Sequence, residues 1–355
     1  MRIAFALICS VGMSVLAAQA RPPSDSADST RRLSVAQDRP LAVALGQAQA
    51  GQYQEAIATL DAAIRTNPKG GENLYLLLAE CHTQLADPAK AEAALRAGLR
   101  VYPGAPMLER TLGQLLFRIK YDSSEAGALL ARAAKMLPRD PQAKHYHAQW
   151  AYLNARERIC VDQERAALAL PGLNDLAALQ MNTLLGMCYS RLLQEEEAAQ
   201  GARLAFQRAN EINARQTAYD PIAAFQYVQF LARYGDDAAA QTIADEILQR
   251  IPQFGPARLE KAKYYDRGGE CARAIAEAKL ALSSDGNDIN SERAAHTLMA
   301  RCYSLLGNAD DAAKEQQWIE AHPNPETPRK PPPPPMKPPT DAEAPVRYSG
   351  APGSE

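Results

Sequence analysis

The chain has 355 residues, 46% of them apolar and 23% charged, which is enough to bury a sizeable core. Its 39 Lys plus Arg stand against 41 Asp plus Glu, so no global field gathers nucleic acid or coats an anionic membrane. Aromatics are only 6% and basic residues are scattered, so no base-stacking platform is encoded and no nucleic-acid partner is expected.

Residues 1–20, MRIAFALICSVGMSVLAAQA, carry Arg2, an apolar run from Ile3 to Leu16, and Ala18-Gln19-Ala20 as a small-residue cleavage site. This pattern predicts a secretory signal peptide; the run falls short of the ~20 residues that span a bilayer, so no membrane insertion is expected after cleavage. The mature chain is expected to start near Arg21, in the periplasm or secreted. Residues 21–40, RPPSDSADSTRRLSVAQDRP, are polar and proline-flanked, and predict a disordered leader.

Residues 41–322 predict a run of helices. Ala56, Leu60, Ala63 and Pro68 are followed in the same spacing by Ala91, Leu95, Gly98 and Pro103, then by Ala126, Leu130, Ala133 and Pro138. The prolines step by 35 residues. Such a step marks a stack of helix pairs, none able to bury its apolar face alone. A small residue three or four positions from a Leu shares its helical face and lets the partner helix approach. The closing proline cannot continue a helix and biases the residue before it to extended backbone. A glycine recurs five residues before the small Ala, as Gly51/Ala56, Gly235/Ala240, Gly269/Ala274 and Gly307/Ala312, suited to ending the first helix of each pair. The hairpins are expected at about 41–68, 71–103, 106–138, 142–171, 173–213, 220–252, 256–286 and 290–322. From 323 to 355 a proline-rich disordered tail is expected; the stretch from His322 onward holds 12 of the 25 prolines. It is either a polyproline II segment offered to a second partner or a tail with no partner.

The first helices carry Tyr75-x-x-Leu78-Ala79, Leu185-Gly186-x-x-Tyr189, Ala262-x-x-Tyr265 and Ala300-x-x-Tyr303. With the small residue, Leu and Pro of the second helices, this pattern resembles the tetratricopeptide repeat (TPR) family over about 280 residues. Tyr or His stands for the family's Trp, and Leu for its Phe. The resemblance implies an all-α fold, an α-solenoid: a right-handed superhelix of about eight TPR-like hairpins. It also implies an exported, non-enzymatic scaffold that binds a protein or peptide on its concave face, of the kind that assists envelope, pilus, secretion or polysaccharide-export assemblies. A fold does not fix a function, so an envelope glycan-binding module, marked by groove aromatics such as Phe225 and Tyr227, and an enzyme on helical repeats stay open.

Beyond the signal lie Cys81, Cys160, Cys188, Cys271 and Cys302, an odd number for an oxidising compartment. Cys188 and Cys302 each precede the Tyr of a first helix, while Cys160 and Cys271 lie near the start of the preceding second helix. Disulfides Cys160–Cys188 and Cys271–Cys302 are therefore expected, against the alternative that all five are small buried hydrophobes.

Chemistry is sparse. Among His82, His145, His147 and His296 only the pair two apart is close in sequence; on a helix it points about 200° apart and has no acid or Cys three or four residues away, so no metal site is expected; metal-protease, nucleotide and nucleophile-elbow motifs are absent, and no cofactor is expected. Glu195-Glu196-Glu197 reads as charge at a helix N-terminus. The remaining candidate is the groove, for which the repeat register selects Glu80, Thr83, Gln84, Arg191, Phe225, Gln229, Arg233, Lys263, Arg267 and Arg301. Its basic C-terminal half suits a carboxylate-bearing peptide. Chaperone-clamping TPR domains set Lys and Asn one turn apart, whereas Leu76/Glu80 and Leu259/Lys263 stand there in this chain.

Overall fold

The structure, a computed structural model, describes residues 28–192 and 196–323. The expected signal peptide, the tail from residue 324 and Glu195 lie outside the described residues. The described residues form sixteen α-helices in eight hairpins: α1 (Asp28–Gln49) with α2 (Tyr53–Thr66), α3 (Glu72–Gln84) with α4 (Pro88–Val101), α5 (Pro106–Ile119) with α6 (Ser124–Met136), α7 (Pro141–Leu153) with α8 (Glu157–Leu168), α9 (Asp175–Tyr189) with α10 (Glu196–Arg215), α11 (Pro221–Arg233) with α12 (Asp237–Arg250), α13 (Gly255–Arg267) with α14 (Cys271–Leu282), and α15 (Ile289–Leu305) with α16 (Ala309–Ala321). Helix α1 begins at Asp28, inside the segment expected to be a leader, and carries Pro40 within it.

The punctuation of the chain explains these boundaries. Asn67, Tyr102, Leu137 and Ile251 each cap a second helix with ψ of 90°, 73°, 65° and 81°, and each precedes a proline that disfavours helical backbone there. Other prolines start helices: Pro88, Pro106, Pro141, Pro221 and Pro256 sit in first turns, where the missing N–H costs no bond. Asp87, Ser123, Asp140, Asn174, Asp220, Asp236 and Asp288 accept first-turn N–H groups with their side chains. Inside the hairpins, Gly51, Gly235, Gly269 and Gly307 turn with φ between 75° and 78°, and Ala86 and Ala155 adopt the same left-handed turn at φ 56° and 54° without a glycine.

The repeated small residues Ala56, Ala91, Ala126, Ala240 and Ala274 are fully buried, as are Leu60, Leu95 and Leu130 one turn later. In the fifth hairpin the family's Phe is present after all, as Phe206 four residues past Ala202. Its ring sits over Gly186, stacked near Tyr227 at 5.9 Å and Phe230 at 5.5 Å. Buried Asn213 closes the following bend, donating Nδ2 to the Asp220 carbonyl at 2.6 Å and accepting the Asp220 N–H at 2.8 Å. The core runs as a series of clusters between hairpins instead of one centre. Every helix packs on the next, and every first helix also touches the first helix of the following hairpin; among the described residues no second helix touches another. Elements crowd on the inner side of a curve, so the first helices form the concave wall.

Candidate functional site

Relative to the small residue of each first helix (Ala79, Gly113, Ala148, Gly186, Val228, Ala262, Ala300), the positions three before, one after and five after run along that wall. The expected residues fall on it as Glu80 and Gln84, Arg191, Phe225, Gln229 and Arg233, Lys263 and Arg267, and Arg301, with Thr83 beside them. The same register adds residues that the sequence reading passed over: Arg110, Gln114 and Arg118 on α5, and His145 and Gln149 on α7. Arg118 occupies the position of Arg191, Arg233 and Arg267. The one-residue insertion between Gly113 and Ala126, compared with Ala79 and Ala91, hides it from a fixed-period alignment.

The basic half of the groove is less open to a ligand than its composition implied. Arg191 lies 3.7 Å over the Tyr152 ring and donates to the Tyr152 carbonyl at 2.6 Å. Lys263 pairs with Glu260 at 2.6 Å, Arg267 with Asp237 of the preceding hairpin at 2.5 Å, and Arg301 with Asp266. Arg233 is exposed and has no ion-pair partner among the described residues. One turn back stands exposed Gln229, and one more turn back half-buried Phe225, whose ring meets Phe254 edge-on at 5.7 Å. At the other end Gln84 donates to Glu80 at 2.6 Å, and Thr83 returns its hydroxyl to the Ala79 carbonyl. Tyr227, offered as a groove aromatic, is instead 8% exposed and packs in the core against Phe206, so it presents no stacking face.

Midway along the wall, a small cleft between α7 and α9 is lined by Gln142, His145, Tyr146, Gln149, Gln180 and Met181. Behind it, His145 Nδ1 lies 2.5 Å from Glu164 Oε1, and Gln149 Nε2 2.9 Å from His145 Nε2. Glu164 is 0% exposed and its second oxygen has no hydrogen-bond partner among the described residues. Burial pushes its carboxyl up, against the opposing pull of His145. Sequence reasoning sought helical i, i+3 and i, i+4 partners and missed this pair, because the acid comes from the other helix of the hairpin. The spacing of 19 recurs in His296–Glu315 and Arg258–Glu277, which is the signal that could have found it.

Cys160 and Cys188 are bonded, with Cα atoms 6.1 Å apart, tying α8 to α9. Cys271 and Cys302 are unbonded buried thiols, which departs from the second expected bridge. The two pairs are not in equivalent places: Cys160 takes the position of the repeated small Ala, five residues past the left-handed Ala155, whereas Cys271 stands two past Gly269, about one turn earlier.

A one-sided stack of helical hairpins with a long polar wall defines the class: an α-solenoid whose usable surface is a groove. Within that class, residues 47–115 match a family sequence model described as tetratricopeptide repeat. No curated protein sequence matches the chain. Among solved structures it is similar to PilF of Pseudomonas aeruginosa, at 16% identity and a TM-score of 0.51, over 66% of this chain and 99% of that one. It is also similar to the C-terminal part of a TPR repeat-containing protein from Cytophaga hutchinsonii, at 15% identity and TM-score 0.53, over 71% of this chain and 98% of that one. A third likeness is a tetratricopeptide repeat protein from Parabacteroides merdae, at 14% identity and TM-score 0.50, over 74% and 98%. At these identities the likeness establishes the solenoid fold alone. No helix among the described residues is long and apolar enough to cross a membrane.

Proposed function

We propose that the protein is a non-enzymatic scaffold of the bacterial cell envelope that holds an extended peptide segment of another protein along its concave wall and so assists an envelope assembly. The observation that carries this reading is the triplet Phe225, Gln229 and Arg233 on α11: an apolar edge, an amide and an exposed guanidinium with no acid partner among the described residues, at one-turn spacing. Such a set takes a side chain, a backbone amide and a carboxylate of one extended segment. The groove is built from paired helices, so the ordering cost falls on the partner. Export is supported by residues 1–20 of the sequence, and the Cys160–Cys188 bridge accords with an oxidising compartment. The mature chain then begins at Arg21, which N-terminal sequencing of the exported protein checks.

The binding test places a photocrosslinking amino acid at Gln229 in intact cells, with a second probe at exposed Lys135 on α6 as control. A defined adduct at Gln229 that is absent at Lys135, and that Arg233→Glu removes, is the expected result. Equal adducts at both sites, or an adduct indifferent to Arg233→Glu, refute the groove reading.

A further inference from the structure

The turn between α13 and α14 and the facing side of α15 bring together three metal-ligating side chains that the groove reading does not use. Asp266 lies in the last turn of α13, Cys271 is the first residue of α14, and Cys302 stands on α15. The Gly268-Gly269 turn folds Asp266 and Cys271 to the same side, and the next hairpin supplies Cys302. One carboxylate oxygen and the two sulfur atoms all lie within 4.8 Å of one another. Both thiols are buried, and Cys302 Sγ donates to Asp266 Oδ1 at 3.2 Å.

We propose that Asp266, Cys271 and Cys302 form a site for a zinc-type divalent metal ion, which clamps the seventh hairpin to the eighth. The donor set is right for such an ion: two sulfurs and one oxygen occupy three corners of a tetrahedron, leaving the fourth to water. The charges close as well. Two thiolates and a carboxylate carry three negative charges; a dication and the Arg301 guanidinium paired with Asp266 carry three positive ones. Binding displaces two thiol protons to solvent and changes no oxidation state. The clamp is independent of whether the groove binds a peptide.

The experiment uses the untagged full chain, purified, stripped with a chelator and titrated with zinc alone, then with cobalt as a spectroscopic probe. About one zinc per chain, a sulfur-to-cobalt charge-transfer band and a rise in melting temperature on zinc addition are expected. Cys302→Ser and Cys271→Ser lose the ion, Asp266→Asn weakens it by at least about tenfold, and Cys81→Ser, remote in the second hairpin, keeps it. Circular dichroism of the zinc-free variants shows that each is folded. A chain that takes up no zinc, uptake unchanged in Cys302→Ser, or a Cys271–Cys302 disulfide peptide recovered from unreduced protein overturns the proposal.

Discussion

Gly186 offers a direct test of how the hairpins close. A Cβ built on it would lie 2.8 Å from three atoms of the Phe206 ring, closer than carbons approach in real structures. Phe206 cannot retreat easily, because Tyr227 and Phe230 pack at 5.9 Å and 5.5 Å on it from the next hairpin. Gly186→Ala therefore overpacks the contact at a cost of about 1–3 kcal/mol, while gaining ~1 kcal/mol of helix propensity. The propensity gain is cancelled by a reference substitution, Gly46→Ala on α1, where nothing lies within 4 Å of the new methyl. The difference between the two variants isolates the clash and should be about 2 kcal/mol in urea unfolding. In heating this corresponds to ~4–8 °C. Adding Phe206→Leu should recover part of the loss through coupling between touching residues. A Gly186→Ala protein as stable as Gly46→Ala would show that the ring does not sit over the glycine, and would refute the packing described for the fifth hairpin.

Two further outcomes follow from the buried polar and sulfur groups. The Glu164 carboxyl is raised, so the native state binds more protons than the unfolded chain. Its contribution is fully present below the ordinary Glu value of about 4.3 and is lost as pH rises through the native value. Wild type should thus lose stability relative to Glu164→Gln between acid and neutral pH, read as the difference in urea midpoints; the opposite slope would mean that the charged pair with His145 dominates. The Cys160–Cys188 bridge closes a separation of 28 residues, and Cys188→Ser or full reduction should cost ~3.5 kcal/mol by loop entropy. Unfolding that is unchanged by reductant would rule that contribution out.

The eight hairpins were legible because their cause is local. A proline that stops a helix, a residue in the left-handed turn and a small residue where two helices touch all act within one unit, and their period survives substitution. Ala86 and Ala155 show the tolerance: each makes the turn without glycine, so the hairpin was recovered from its other positions. Pairing between helices was legible only in part, since Arg267–Asp237 and Arg301–Asp266 join residues 30 and 35 apart on successive hairpins, and His145–Glu164 joins residues 19 apart within one hairpin. The cysteines illustrate the limit. A difference of three residues, about one helical turn, between Cys160 and Cys271 is the whole difference between the separations of 28 and 31, small enough to pass for loop-length variation, yet one pair is bonded and the other lies beside a carboxylate.

The inter-hairpin pairs also decide how the groove should be probed. A partner carboxylate that approaches Arg267 or Arg301 must displace Asp237 or the largely covered Asp266, exchanging one ion pair for another at a net gain of at most about 1 kcal/mol. At Arg233 nothing among the described residues is displaced, so the whole charge-assisted bond, ~1.5–3 kcal/mol, goes to the ligand. On the proposed function, Arg233 is therefore the favoured one of these three arginines for a partner carboxylate, while the pairs at Arg267 and Arg301 hold successive hairpins together. Reversing all three arginines at once would mix the two effects. Arg233→Glu should weaken binding and leave stability within about 0.5 kcal/mol, whereas Arg267→Glu should loosen the joint between the sixth and seventh hairpins with little change at the Gln229 crosslink.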